Sequence, residues 1–211
     1  MRIRVKVCGI TDYEDAALAL DYGADALGFN FYRPSPRYID PAEVRGILRR
    51  LPPLRVAVGV MVNLAAEDAA RIGHEAGLQM LQLHGEESPE YCRGLSGWSL
   101  IKALRLGNEP LTVDPADYPV AALLLDARDE VLYGGTGKTF DWSWVERIGR
   151  ARPLFLAGGL TPDNVGRAIR TVRPYAVDVC SGIEMTPGKK DRSKLKAFID
   201  EVNHVASETN L

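Results

Sequence analysis

Eight short runs rich in β-branched and apolar residues recur along the chain, at 3–8, 26–31, 56–62, 80–83, 99–103, 121–126, 153–156 and 176–180. Each is followed by a turn signal and then by apolar positions at helical spacing. Strands that alternate with helices from end to end run parallel, joined by right-handed crossovers. Eight such units predict an α/β fold of the closed (β/α)8 type, a TIM barrel with eight parallel strands and outer helices; five or six would have predicted an open doubly wound sheet. The unit after residue 103 is irregular, because LGNEPLTVDPADYP is rich in helix breakers and predicts only a short helix or turn.

Helix starts are marked by local chemistry. Thr11-x-x-Glu14 and Asp40-Pro41-x-Glu43 have the form of capping boxes, and Ser88-Pro89 and Thr161-Pro162 place proline just inside a cap. These marks fix where each strand hands over to its loop, and in this architecture the loops at the carboxyl ends of the strands build the site. No linker or repeat divides the 211 residues, so 1–205 are expected to form one barrel domain and 206–211 a loose tail.

Composition narrows the picture further. At 46% hydrophobic and 26% charged residues the chain has the make-up of a water-soluble globular protein, and no stretch approaches the roughly twenty apolar residues of a membrane span. A net charge of -2 with both signs scattered offers no basic stripe for nucleic acid. MRIRVKVCGI runs straight into a strand without the apolar core of a signal peptide, which predicts a cytoplasmic location. Cys8, Cys92 and Cys180 are odd in number and far apart, which suits reduced thiols better than a disulfide framework or zinc site.

The chemistry-bearing residues gather at the predicted strand ends. Gly158 and Gly159 follow the seventh strand, and Ser181 and Gly182 follow the eighth, where loops of this fold commonly hold phosphate on backbone N–H groups. Cys8 closes the first strand, with Lys6 one pleat below on the same face; a nearby ammonium favours the thiolate and makes the sulfur a usable base. Asp126 ends the apolar run of the sixth strand at the same rim, and base and acid over one phosphate pocket describe proton transfer along a sugar. Asp178, on the strand that neighbours the first in a closed barrel, is the expected counter-ion of Lys6. Arg37, in a proline-stiffened loop, suits a second anion such as a carboxylate. His84 ends the fourth strand, either as a hydrogen-bonded rim residue or as part of the site, whereas His74 and His204 fall in helical stretches facing solvent. The cluster Gly134-Gly135-Thr136-Gly137-Lys138-Thr139 is no nucleotide loop, since GxxxxGK[ST] requires glycine where Leu132 stands; a flap over the site fits it better.

Taken in order, Lys6-Val7-Cys8-Gly9-Ile10-Thr11, Ser35-Pro36-Arg37, Gln82-Leu83-His84-Gly85, Leu125-Asp126, Gly134-Gly135-Thr136-Gly137, Ala157-Gly158-Gly159-Leu160 and Ser181-Gly182-Ile183-Glu184 resemble the phosphoribosylanthranilate isomerase family. The resemblance implies an Amadori-type isomerisation in tryptophan biosynthesis, from N-(5-phosphoribosyl)anthranilate to 1-(2-carboxyphenylamino)-1-deoxyribulose 5-phosphate. It implies general acid/base catalysis without metal or cofactor, by a monomer or homodimer that binds only its phosphorylated substrate. Cys8 then takes the role of base and Asp126 of acid, with Arg37 and His84 on the substrate and Gly158, Gly159, Ser181 and Gly182 on its phosphate. Met61 stands where the family more often has phenylalanine, which bears on the packing of the pocket wall. A related histidine-pathway isomerase is expected to carry aspartate at the position of Cys8, and indole-3-glycerol-phosphate synthase a lysine-centred set that these strand ends lack. A barrel that merely binds a phosphorylated metabolite would need neither Cys8 nor Asp126.

Overall fold

The computed structural model describes residues 2–105, 113–126, 145 and 152–208. Eight parallel strands close into a barrel in chain order: β1 (Arg4–Cys8), β2 (Ala26–Asn30), β3 (Val56–Met61), β4 (Met80–Leu83), β5 (Ser99–Arg105), β6 (Ala122–Asp126), β7 (Leu154–Ala157) and β8 (Ala176–Val179). β1 and β8 seal the ring, with Lys6 opposite Asp178 and Val7 opposite Val179. β5 runs two residues past its expected end at 103, which carries Arg105 to the mouth.

Helices α1 (Tyr13–Tyr22), α2 (Pro41–Arg50), α3 (Ala66–Ala76), α4 (Pro89–Gly94), α5 (Pro162–Val172) and α6 (Arg192–Glu208) pack outside the barrel. The described part of the connection after β5 holds only a 3-10 turn, Pro115–Asp117, as its helix-breaking sequence predicts. The glycine cluster read as a flap, 133–139, lies outside the described residues. Among the described residues no helix is long and apolar enough to cross a membrane.

The caps show how local chemistry fixes the loop geometry. Asp40 accepts from the Ala42 N–H at 3.0 Å while Glu43 reaches back to the Asp40 N–H at 3.2 Å. Ser88 caps α4, and Asn164 accepts from the Thr161 N–H at 2.8 Å at the start of α5. The cap of α1 is not Thr11 but Asp12, whose carboxylate accepts from the Asp15 N–H at 2.8 Å. A charged acceptor suits the positive end of the helix dipole better than a hydroxyl, and Thr11 instead donates to the Gly188 carbonyl at 2.5 Å. At the other end α6 continues to Glu208, so 206–208 are helical where a loose tail is expected; Val205 is buried and Arg170 of α5 holds Glu208 at 3.0 Å.

Alternation along the strands divides the core in two. On β6, Leu123 and Leu125 face the helices, while Ala122, Leu124 and Asp126 face inward. Inside the ring Val58, Ile101, Ala103, Ala122, Leu124 and Ala157 make a small apolar plug. Beside it stands the expected ion pair: Lys6, 1% exposed, places its Nζ 2.9 Å from both carboxylate oxygens of Asp178. Burial pushes the Asp178 carboxyl up to about 7 against the pull of Lys6, whose own ammonium is held above its ordinary range by that contact despite burial. Gly28 of β2 makes the room, because a Cβ there would lie 3.1 Å from Lys6 Nζ and 2.8 Å from Cys8 Sγ.

Candidate active site

The barrel mouth opens at the carboxyl ends of the strands into a cavity of about 500 Å³. Cys8, Arg37, His84, Asp126, Gly158, Gly159 and Ser181, drawn from loops and strand ends far apart in sequence, all line it. Gly182 does not; it lines an adjoining shallow depression with Ser181, Thr161 and Lys194. Gly158 and Gly159 turn the chain after β7 with φ of 93° and 60°, a left-handed path open to glycine, and so bring backbone to the cavity wall.

Cys8 sits at the end of β1 with its thiol held well below the ordinary range. The neighbouring Cys180 thiol is the largest cause, burial opposes it, and the ammonium groups of Lys6 and Lys190 add favourable charge. Lys190 is fixed in place by donating to the Cys8 carbonyl at 2.6 Å and to Glu184 at 3.0 Å. Strand alternation puts Lys6 beneath the thiol, whereas Lys190 and Cys180 reach Cys8 from positions far along the chain that carry no local signal of that proximity.

Asp126 faces the same space from β6 and is engaged by His84, whose Nε2 is 3.2 Å from Asp126 Oδ2. The other ring nitrogen of His84 is 2.8 Å from Gln82 Nε2. Gln82 and His84 are two residues apart and share the inward face, a spacing visible in Gln82-Leu83-His84-Gly85 that makes Gln82 a supporting residue of the site. A buried ion pair holds this end of β4: Lys102 Nζ donates to Glu87 at 2.8 Å and to the Gly85 carbonyl at 2.6 Å, while Glu87 accepts from the Asn63 N–H at 2.8 Å. His74 and His204 are exposed, as expected.

Arg37 reaches the cavity with part of its guanidinium already taken. Its Nε lies 2.9 Å from Glu184 Oε1 and its Nη2 2.5 Å from Glu184 Oε2. Burial works against the Glu184 charge, yet the bonds from Arg37 and Lys190 outweigh it and hold the carboxyl down to about 2. Glu184 begins a small antiparallel hairpin, β9 (Glu184–Thr186) and β10 (Lys189–Lys190), tied to the rim by Lys189 on Asp12 at 2.6 Å and the Lys190 N–H on Asp15 at 2.8 Å. Met61 is not part of the pocket wall. It is fully buried in the layer between strands and helices, and alternation gives the wall to Val60 and Val62 instead.

Fold and site together define a (β/α)8-barrel enzyme whose mouth brings a thiol, a carboxyl group and glycine-rich turns to one cavity. The sequence pattern described as N-(5'phosphoribosyl)anthranilate (PRA) isomerase matches residues 5–201. The chain is 50% identical over 198 residues to the N-(5'-phosphoribosyl)anthranilate isomerase of Trichlorobacter lovleyi, covering 93% of this chain and 96% of that one. It superposes on the phosphoribosyl anthranilate isomerase of Thermotoga maritima with a TM-score of 0.85 at 46% identity, covering 96% of this chain and 99% of the other. A phosphoribosyl anthranilate isomerase solved in complex with reduced 1-(o-carboxyphenylamino)-1-deoxyribulose 5-phosphate gives a TM-score of 0.84 at 43% identity, over 96% and 99% of the two chains. The chain belongs to the N-(5'-phosphoribosyl)anthranilate isomerase family.

Proposed function

We propose that the chain isomerises N-(5'-phosphoribosyl)anthranilate to its aminoketose phosphate in tryptophan biosynthesis, with Asp126 as general acid and Cys8 as general base. The observation that carries these roles is the pairing, across one cavity, of a thiol held low in pKa on β1 and a carboxyl group on β6, three strands away around the ring. Asp126 protonates the furanose ring oxygen, and the ring opens to a Schiff base. The Cys8 thiolate removes the C2′ proton, and the enolamine so formed tautomerises to the ketone. Backbone N–H groups around Gly158, Gly159, Ser181 and Gly182 hold the phosphate. Arg37, oriented by Glu184, receives the anthranilate carboxylate, and His84 borders the substrate beside Asp126. Residues 1–205 act as one catalytic domain, in the cytoplasm, without metal or cofactor, as a monomer or homodimer.

The test is turnover of freshly generated phosphoribosylanthranilate, followed by loss of its anthranilate fluorescence above spontaneous decay. Cys8→Ser and Asp126→Asn should each lower the rate by a factor on the order of 10²–10⁴ while affinity for a reduced product analogue changes little. Normal turnover in either variant overturns the assignment of that residue.

A further inference from the structure

Cys180 stands beside Cys8, and the reaction gives it no part as a proton carrier. Cys8 ends β1 and Cys180 directly follows the last residue of the adjacent parallel strand β8, each one step beyond the Val7–Val179 pair in the β1–β8 register. Neighbouring strands lie roughly 4.7–4.9 Å apart, inside the Cα separation of about 4.4–6.8 Å that a disulfide spans. Both side chains turn to the same side: each lines the mouth cavity, where Cys180 Sγ also donates to Glu184 Oε1 at 3.8 Å. A Cβ built on Gly9 would meet Cys180 Sγ at 2.8 Å, so the sulfur occupies the space directly over the turn that follows Cys8.

We propose that Cys8 and Cys180 form a thiol pair that hydroperoxides convert reversibly into a disulfide. The Cys8 thiolate attacks the peroxide O–O bond, giving a Cys8 sulfenic acid and releasing hydroxide, or the alkoxide of an organic peroxide. Cys180, as its thiolate, then attacks the sulfenic sulfur. The S–S bond forms as the S–O bond breaks, the Cys180 proton leaves with the hydroxyl as water, and the sulfur pair has lost the two electrons gained by the peroxide. The open mouth admits a small peroxide to both sulfurs, since neither cysteine is fully buried. Cys92 serves as an internal control: it is 1% exposed on α4, and burial pushes its thiol up to about 11, which keeps it unreactive. A resolving thiol on the neighbouring strand end spares Cys8 the further, irreversible oxidation to sulfinic acid.

The intact chain is treated with equimolar hydrogen peroxide, alkylated under denaturing conditions, and analysed by intact mass and peptide mapping. The expected product has lost two of three alkylatable thiols and carries one cross-link joining the Cys8 and Cys180 peptides. Isomerase activity falls in proportion to the fraction cross-linked and returns with dithiothreitol. In Cys180→Ser the same exposure should add oxygen to Cys8 with no cross-link, and rising peroxide should produce a loss that dithiothreitol does not repair. The proposal is overturned if all three thiols of the natural chain stay alkylatable, if Cys8 gains oxygen while Cys180 remains free, or if the bridge involves Cys92. The mass readout depends on the sulfurs alone, so a missing isomerase activity would count against the proposed function without touching this inference.

Discussion

His84 Nε2 stands 3.2 Å from Asp126 Oδ2 while the far side of the same ring, Nδ1, is 2.8 Å from Gln82 Nε2. With the Gln82 amide donating to Nδ1, the histidine carries its proton on Nε2 and donates to an Asp126 carboxylate. The Gln82 carbonyl oxygen is buried and has no hydrogen-bond partner among the described residues. Turning the amide over would let that oxygen accept from Nδ1–H, which leaves Nε2 as the acceptor for a protonated Asp126. Either amide orientation leaves the Gln82–His84–Asp126 chain hydrogen-bonded from end to end.

Removing either supporting residue should act on the chemical step. A hydrogen bond to a charged group contributes about 1.5–3 kcal/mol, so His84→Ala and Gln82→Leu are expected to lower kcat roughly tenfold to a hundredfold, with a smaller change in KM. Because the two residues act through one chain, the double variant should be little worse than the poorer single one. Steady-state kinetics on the four proteins checks this; additive losses would mean that Gln82 does not act through His84.

The pH profile reports on the thiol. A base must be deprotonated to work, so kcat/KM rises with pH through the pKa of Cys8, which sits below the roughly 8.5 of a free thiol because Cys180, Lys6 and Lys190 favour the thiolate. Lys190→Met removes one of those charges and should move the acidic limb to higher pH while leaving the plateau rate within a fewfold. A limb that stays in place would show that Lys190 acts only on the hairpin.

The buried pair at the barrel floor predicts an asymmetry in stability. Lys6→Met leaves the Asp178 carboxyl group buried without its ammonium, a loss on the order of 3–5 kcal/mol. The double change Lys6→Met with Asp178→Leu removes both charges and should recover much of that loss in urea denaturation, although Cys8 loses the ammonium below it. Equal destabilisation in single and double variants would show that packing around Lys6, rather than its charge, is what matters.

What was legible in the sequence follows from what is local. Strand positions, caps and the facing of Lys6, Cys8 and Asp126 obey alternation and capping rules that act over a few residues, and even the Lys6–Asp178 contact follows once the ring is closed. Contacts made by loops returning over the mouth were not legible. Glu184 reaches Arg37 across 147 positions, and Lys190 reaches the carbonyl of Cys8 across 182, through a hairpin too short to leave a periodic pattern. Met61 differs from its expected place in the pocket wall for a related reason: similarity to a family pattern says which residue type is usual at a position, but only the pleat says which way it points.

Glu184 carries the last prediction, which concerns acid stability. In the folded chain its carboxyl is held down to about 2, since the bonds from Arg37 and Lys190 outweigh the cost of burial; in the unfolded chain a glutamate titrates near 4.3. The fold thus prefers the ionised form, and the stability this contributes is fully present above the unfolded value and is lost as pH falls from about 4.5 toward 2. Asp12 and Glu87 are also held low and add to the same decline, so the slope of the natural chain alone does not isolate Glu184. The difference from Glu184→Gln does: the variant should be less stable at neutral pH, and the gap should close as the solution is acidified through that window. Urea midpoints measured at intervals from pH 7 to pH 2 check this, and a gap that stays constant with pH would show that the Arg37–Glu184–Lys190 cluster stabilises the rim by shape rather than by charge.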